Sequence, residues 1–226
     1  REIIDYNRIE QVLNTDYLSE KIAPYTYQVK KAECLELPEK KYFGEPFALS
    51  EAQIEEYERV KMTYLEYVDE IRSETIYKLF AALQHVVSGR RILTEPKSRM
   101  ETEPMVEDED NPRLWVLRNL LQREIKDEKV LIFCKYRTEA ASICKMLTQM
   151  GRSSVLFTGE ISQKKRQKNR KQFRDDVQVM VANKACGAYG LNLQFCRNII
   201  FYSNDFDLAT RMQAEDRVHR IGQTKE

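Results

Sequence analysis

Arg217 and Arg220 stand three residues apart in the string Gln213-Ala-Glu-Asp-Arg-Val-His-Arg-Ile-Gly-Gln223. On a helix that spacing projects both guanidiniums from roughly one face. Gly222 is a usual helix-ending residue. Arginine never deprotonates and offers a planar fork of donors. Two of them at a helix end suit one task well, gripping the charge that spreads over a transferring γ-phosphoryl group. The plainer alternative is a surface helix whose arginines pair with Glu215 and Asp216.

Two other stretches carry chemical potential. In Asn183-Lys-Ala-Cys-Gly-Ala-Tyr-Gly-Leu-Asn-Leu193, Gly187 and Gly190 let the backbone approach a phosphate or ribose closely. Lys184 adds a charge to that loop, and its backbone donors suit a nucleic-acid phosphate. A plain glycine-containing turn is the rival reading. Further back, Lys164, Lys165, Arg166, Lys168, Arg170, Lys171 and Arg174 form a run with no acidic residue between Ser162 and Arg174. Phosphate contacts need only positive charge, so this run either lines a nucleic-acid track or is a solvated helix face.

The elements that must position these residues are legible as an alternation. Val130–Cys134, Ser154–Thr158, Val177–Ala182 and Asn198–Tyr202 are apolar runs of strand length. Helical stretches separate them: Ala140 to Met150, stopped by Gly151; the basic Ser162 to Arg174; and a last helix predicted over Leu208–Ile221. Continuous Val/Ile/Leu/Phe strands suit a sheet buried on both faces, and the alternation argues right-handed βαβ units. Ligands bind beyond the carboxyl ends of such strands. Chemistry is therefore expected in the loops Lys135–Thr138, Gly159–Ser162, Asn183–Asn192 and Ser203–Asp207.

Upstream the pattern is helical. Ser50 and Gln53 make a capping box ahead of Ile54, Tyr57, Val60, Tyr64, Val68 and Ile71. A second helix carries Ile76, Leu79, Phe80, Leu83 and Val86 and ends at Ser88-Gly89. Prolines and the acidic cluster Glu107–Asp110 make residues 95–112 read as a mobile, solvated linker, or alternatively an acidic docking tract. Trp115 falls among Leu114, Leu117 and Leu121 and is expected in the core.

Bulk numbers exclude more than they assign. With 226 residues, 42% hydrophobic content and a formal net charge of +1, the chain is a globular domain with an appendage. Any nucleic-acid surface must be local. No apolar run reaches membrane-spanning length and no secretory signal is visible. Five cysteines without a CxxC pair and two histidines argue against zinc or disulfides. They favour an intracellular, reducing compartment — cytoplasm, nucleoid, or a host cell if viral — with each cysteine a small buried hydrophobe. The first residue, Arg1, and the end just after the arginine string read as an excised piece of a longer protein.

These motifs together resemble a known family. Gln213–Gln223 is similar to the sixth helicase motif, close to QAxDRxHRIGQ, of the Swi/Snf-type DNA-dependent ATPases of helicase superfamily two. Lys129–Cys134 resembles the fourth motif, with Cys134 where serine is common. Thr158-Gly-Glu160 with Arg166 and Phe173 resembles the next, and Asn183–Leu193 the fifth. There Asn183 and Lys184 replace Ser-Thr, Ala185 replaces Arg, and Ala188 replaces Gly, a form closer to compact bacterial or phage-like members. Ser203–Leu208 resembles the xSDWNP loop, with Phe206 for Trp and Asp207 for Asn. More loosely, Leu37–Lys40 is similar to the LPxK segment ending the first lobe, Leu83–Gly89 to LRQIASG, and Asn111–Leu114 to NPKL.

The resemblance implies an α/β fold, a RecA-like parallel sheet flanked by helices, over residues 111–226. It implies the tail of a first RecA-like lobe over 1–45 and a helical protrusion with acidic linker over 46–110. Arg217 and Arg220 would then act as catalytic fingers, and Gln213, Gly190 and Asn192 would meet the nucleotide. Lys184, Gly187, Lys164 and Arg166 would meet DNA. ATP and Mg²⁺ would be held mainly by the first lobe, and the partners would be double-stranded DNA and that lobe, with no membrane. The sequence has no GxxxxGK[ST] loop and no acidic DExx tetrad after an apolar strand, so it looks like half of an ATP site. Two rivals stay open: a lobe of an RNA-directed helicase, against which the HRIGQ ending counts, and a degenerate lobe that only binds partners.

Overall fold

The computed structural model describes residues 14–27, 29, 31–66, 73–95, 99–183, 191–204 and 207–224. The chain divides into two units, Arg1–Leu37 and Pro38–Glu226. Within the first, helix α1 (Thr15–Ile22) runs into a 3₁₀ turn at Ala23–Tyr25, and a single helical turn α2 follows at Lys31–Cys34. Its aromatic side chains Tyr25 and Tyr27 are exposed.

The second unit opens with a helical pair. Helix α3 (Glu51–Leu65) starts at the capping box expected from the sequence: Ser50 Oγ accepts from Gln53 N, and Gln53 Oε1 accepts from Ser50 N. Gln53 does more than cap. Its Nε2 donates to the carbonyls of Val86 and Val87, closing the end of helix α4 (Ser73–Val87). Val60, Tyr64, Ala82, Val86 and Ile92 form a small core between the helices, whereas Ile54 is exposed. Val68 and Ile71 lie outside the described residues.

Gly89 ends α4 at a φ of 81°, where only glycine is unstrained. The chain then forms a short antiparallel pair, β1 (Arg90–Ile92) with β2 (Thr102–Pro104). Glu56, buried on α3, accepts from Ile92 N at 2.9 Å and from Arg59 at 2.6 Å. Burial alone raises the Glu56 carboxyl; the bonds from Arg59 and Ile92 outweigh it and hold it below the ordinary range. The stretch expected to be a mobile linker is thus partly a strand. Its acidic end is docked too: Asp108–Asp110 is a 3₁₀ turn whose Asp108 and Glu109 pair with Lys145.

Helix α5 (Pro112–Arg123) is capped by buried Asn111, which accepts from Arg113 N and Leu114 N. Strands β3 (Val130–Cys134), β4 (Ser154–Phe157), β5 (Val179–Asn183) and β6 (Asn198–Phe201) then form one parallel sheet, in the order β4-β5-β3-β6. Helices α6 (Arg137–Gln149), α7 (Gln163–Asp175) and α8 (Leu208–Glu215) complete it.

Strand alternation sorts the core into two layers. Val130, Ile132, Cys134, Val179 and Val181 face Leu114, Leu117 and Leu121 of α5 and Ala140, Ile143 and Leu147 of α6. Leu131, Phe133, Met180 and Ala182 face Phe173 of α7, Leu191, Leu193, Cys196, Ala214 and Val218. Each fully buried Val, Leu, Ile, Phe or Met among them contributes about 1.5–3 kcal/mol. Cys134 and Cys196 are members of these layers, and burial pushes both thiols up to about 12. Cys34 departs from the expected buried role and is exposed; Cys186 lies outside the described residues.

Trp115 departs from expectation: it is 61% exposed. The buried stripe of α5 is Leu114, Leu117 and Leu121, and position 115 turns about 100° away from Leu114.

One half-buried titratable group gives the fold a pH signature. The His85 ring packs on Tyr136 with centroids 3.9 Å apart, and its Nδ1 is buried with no hydrogen-bond partner among the described residues. Burial pushes its pKa down to about 4; the Glu139 carboxylate opposes this, while Arg90 and Lys135 add to it. A folded-state pKa below the unfolded value makes the unfolded chain the better proton binder between the two. Stability should therefore fall as pH drops from about 6.5 to about 4, by on the order of 1–2 kcal/mol after allowance for the ring's partial exposure. In thermal melts across that window, His85→Phe should keep the stacking and flatten the slope. An equal slope in both proteins would place the dependence elsewhere.

Candidate functional site

The four parallel strands deliver their following loops to one end of the sheet. Lys135 follows β3, buried Thr158 follows β4, Asn183 ends β5, and Tyr202, Ser203 and Asn204 follow β6. Cys134 of β3 is in register with Asn183 of β5, and Phe133 with Phe201 of β6, so these loops leave at similar heights. Arg137, at the start of α6, is ion-paired with Glu160 in the loop after β4.

The arginine string sits differently from the helical reading. Helix α8 stops at Glu215 rather than running to Ile221, and residues 216–222 form successive turns. Arg217 and Arg220 therefore do not share a helix face. Tertiary bonds outcompete the helix here. Arg217 O accepts from Leu193 N at 3.0 Å, and Gln223 Nε2 donates to Cys196 O at 3.1 Å. Val218 is drawn into the layer beneath α7. Gly222, expected to end the helix, lies seven residues past its end, in the last turn, at a φ of 96°.

The carboxylates of the motif are occupied elsewhere. Glu215 accepts from Arg211 at 2.8 Å, Tyr42 at 2.9 Å and Lys40 at 3.0 Å. Burial alone raises the Glu215 carboxyl, but these bonds outweigh it and hold it below the ordinary range. His219 Nε2 lies 2.8 Å from Pro38 O. The motif's acidic and histidine residues thus fasten residues 38–42 to the turn. Arg217 is half-buried, its Nε enclosed without a hydrogen-bond partner among the described residues, and Arg220 is exposed. An enclosed guanidinium donor without an acceptor fits a position that meets an anion.

Gln213 is exposed on α8 and Asn192 is exposed just before Leu193. Lys164 is exposed and Arg166 half-buried on α7, whose Ser162 cap accepts from Lys165 N. Lys184, Gly187 and Gly190 lie outside the described residues. The shared layer of Phe173, Leu191, Leu193, Ala214 and Val218 brings α7, the Asn192 segment and the arginine turns over one sheet face. Among the described residues no three His, Cys, Asp or Glu side chains are grouped to hold a metal ion. No helix among the described residues is long and apolar enough to cross a membrane.

Sequence reasoning missed several residues that shape this end of the sheet. Arg211 lies over the Phe201 ring, 3.2 Å from its centroid, and donates to Asn204 Oδ1 at 2.8 Å. Arg113 lies over Tyr202 at 4.2 Å. Glu139 is buried on α6 and gathers donors from several elements. The one available signal was position: Glu139 stands three residues after Tyr136, where a first-turn carboxylate reaches back to backbone donors.

Residues 113–222 match the family model described as the helicase conserved C-terminal domain. The chain is 37% identical over 100 residues to YqhH of Bacillus subtilis (strain 168), described as an uncharacterized ATP-dependent helicase, covering 44% of this chain and 18% of that one. It is 33% identical over 108 residues to HEL64 of Trypanosoma brucei brucei, described as a putative DEAD-box RNA helicase, covering 48% of this chain and 18% of that one. The chain thus spans about a fifth of the length of these relatives. Its fold is similar to the C-terminal part of the Fun30 ATPase domain, with a TM-score of 0.67, 20% identity and 84% of each chain covered. It is also similar to the SWI2/SNF2 ATPase core domain of Sulfolobus solfataricus, with a TM-score of 0.66, 22% identity and 93% of this chain but 43% of that one covered. The mixed α/β architecture with a four-stranded parallel sheet is the RecA-like helicase C-terminal fold of these ATPases.

Proposed function

We propose that the chain, whose residues 113–222 match the helicase conserved C-terminal domain model, supplies the second motor lobe of an ATP-dependent DNA translocase of the Swi/Snf type. The observation that carries this is the arginine turn. Val218, which lies between Arg217 and Arg220, is packed into the sheet layer, and an Arg217 donor is enclosed without an acceptor among the described residues. A first lobe, with residues 1–45 as its tail and 46–110 as a helical protrusion, would close on the nucleotide from the other side.

ATP, when bound, supplies the phosphoryl group whose transfer drives the cycle, with Mg²⁺ held by the first lobe. On this chain, Arg217 and Arg220 act as fingers, donating to oxygens that gain charge in the transition state. Gln213 orients the nucleotide, and Gly190 and Asn192 approach the ribose. Lys184, Gly187, Lys164 and Arg166 hold backbone phosphates of duplex DNA, contacts that carry no base information. Closing and opening then steps the protein along the duplex. The RNA-directed reading draws on the similarity to HEL64; the HRIGQ ending weighs against it.

The test is the ATPase of the full-length protein with duplex DNA, single-stranded DNA and RNA. Duplex DNA should stimulate most; stimulation by RNA alone would favour the second reading. In the same protein, Lys184→Ala should weaken duplex binding similarly across sequences. It should also make the salt dependence shallower by roughly 0.9 of a log unit per log unit of salt, as for one lost phosphate contact. Lys168→Ala, one turn from Lys164 on α7, is the control: if that face is merely solvated the slope should stay unchanged, and a shallower slope would join Lys168 to Lys164 on the DNA track. An unchanged slope for Lys184→Ala with stimulation intact would take that residue out of the DNA path.

A further inference from the structure

Helix α4 meets the sheet through a polar seam at helical spacing. Ala81, Gln84, His85 and Ser88 share one face. Gln84 Nε2 donates to Asn204 O at 2.6 Å, while its Oε1 accepts from Lys135 Nζ at 2.9 Å and Tyr136 Oη at 3.0 Å. One turn further on, Ser88 Oγ donates to Glu139 Oε1 at 2.6 Å. Glu139 is the other node. Its Oε2 accepts from Ser203 Oγ at 2.5 Å and from the backbone N–H groups of Lys135 and Tyr136 at 3.1 Å each. Arg113 Nη1 lies 3.5 Å from Oε1, and the Glu139 side chain is 1% exposed.

We propose that Glu139 is a positioning residue that fixes the loops after β3 and β6 to the end of α4, so that load on the α3–α4 pair is felt at the mouth of the sheet. Three observations carry this. The carboxylate collects donors from α4, α5, the β3 loop and the β6 loop. A helix N-terminus needs only the two backbone donors, so the bonds to Ser88, Ser203 and Arg113 exceed what capping α6 requires. The seam is polar where the layers on either side of the sheet are apolar. Packed interfaces move between discrete arrangements rather than deforming continuously, so a seam of specific hydrogen bonds can pass a shift on one side to the other.

Hydrogen exchange on the 226-residue chain separates this role from local capping. Glu139→Gln retains a carbonyl oxygen for the Lys135 and Tyr136 N–H groups and loses the charge that Ser88, Ser203 and Arg113 address. Amides at 88–89 and 202–204, and that of Lys135, which also donates to Ser203 Oγ at 2.6 Å, should then exchange about tenfold faster, the scale of one lost charge-assisted hydrogen bond, while that of Tyr136 stays within about threefold. Glu139→Ala should accelerate all of them. If that variant does not fold, Ser88→Ala removes only the α4 arm and should still quicken exchange at 202–204. Changes confined to residues 135–139 would overturn the proposal and leave a simple cap.

A second arm uses the full-length protein and rests on the motor reading above. There, Glu139→Gln should lower the DNA-stimulated kcat about fivefold with KM for ATP within about twofold, a coupling loss rather than a binding loss. The exchange arm needs no ATPase, so an inactive protein would sink the motor reading without touching it. Equal stimulation in both proteins, with exchange altered, would confine Glu139 to structure and overturn its link to the reaction.

Discussion

Replacing Arg217 or Arg220 by alanine in the full-length protein should lower ATP turnover far more than affinity for ATP. Arginine fingers are worth about 10³–10⁵ in rate, because their contacts strengthen as charge develops on the transferring group. The structure makes Arg217→Ala a clean substitution. The turn is held by its backbone, through Arg217 O and Leu193 N, which alanine keeps. The side chain's Nε has no hydrogen-bond partner among the described residues, so none is orphaned at that atom. Arg220 is exposed and tolerates truncation without loss of packing. Lysine at either position should rescue little, since a point charge does not copy a planar fork. Steady-state kcat and KM, with a melting curve for each variant, decide the matter. Near-normal turnover in both alanine proteins would leave these arginines with a structural role only.

What the sequence made legible follows from which forces act locally. Val130–Cys134 reads as a buried strand because every side chain in it is apolar, and it is buried on both faces. Ser50 and Gln53 read as a cap because the signal spans three residues. The end of α8 was not legible. Propensity carries a helix on from Glu215, but Leu193 and Cys196, distant in sequence, bond to Arg217 and Gln223 and bend the chain into turns. The docked acidic stretch was missed for a similar reason. Composition argued for solvation, while Lys145 on α6 supplies partners that no window around residue 108 contains. Trp115 shows the converse: its neighbours are core, but a single step around the helix puts it outside. The Glu139 node is the extreme case, since its donors lie at Ser88, Arg113, Lys135, Tyr136 and Ser203 and only the fold assembles them.

The 226-residue chain by itself should show no ATP turnover above the uncatalysed rate, although it should fold. Folding is expected because two apolar layers cover the sheet from both sides. Catalysis is not, for a reason visible in the residues. Phosphoryl transfer depends on holding the β- and γ-phosphates and their metal in line with the attacking water. The sequence contains no GxxxxGK[ST] loop, and no group of three acidic, histidine or cysteine side chains among the described residues could take the metal. As the proposed fingers, Arg217 and Arg220 would stabilise charge only where another surface has already positioned the phosphates, so alone they would have nothing to act on. Weak nucleotide binding is compatible with this, because Gln213, Asn192 and the arginine turn remain available. The measurement is phosphate release by the purified chain, with Arg217→Ala as its matched control. Turnover that follows the protein through every column and falls in the alanine variant would mean that the chain carries a complete site, and the two-lobe reading would have to be abandoned.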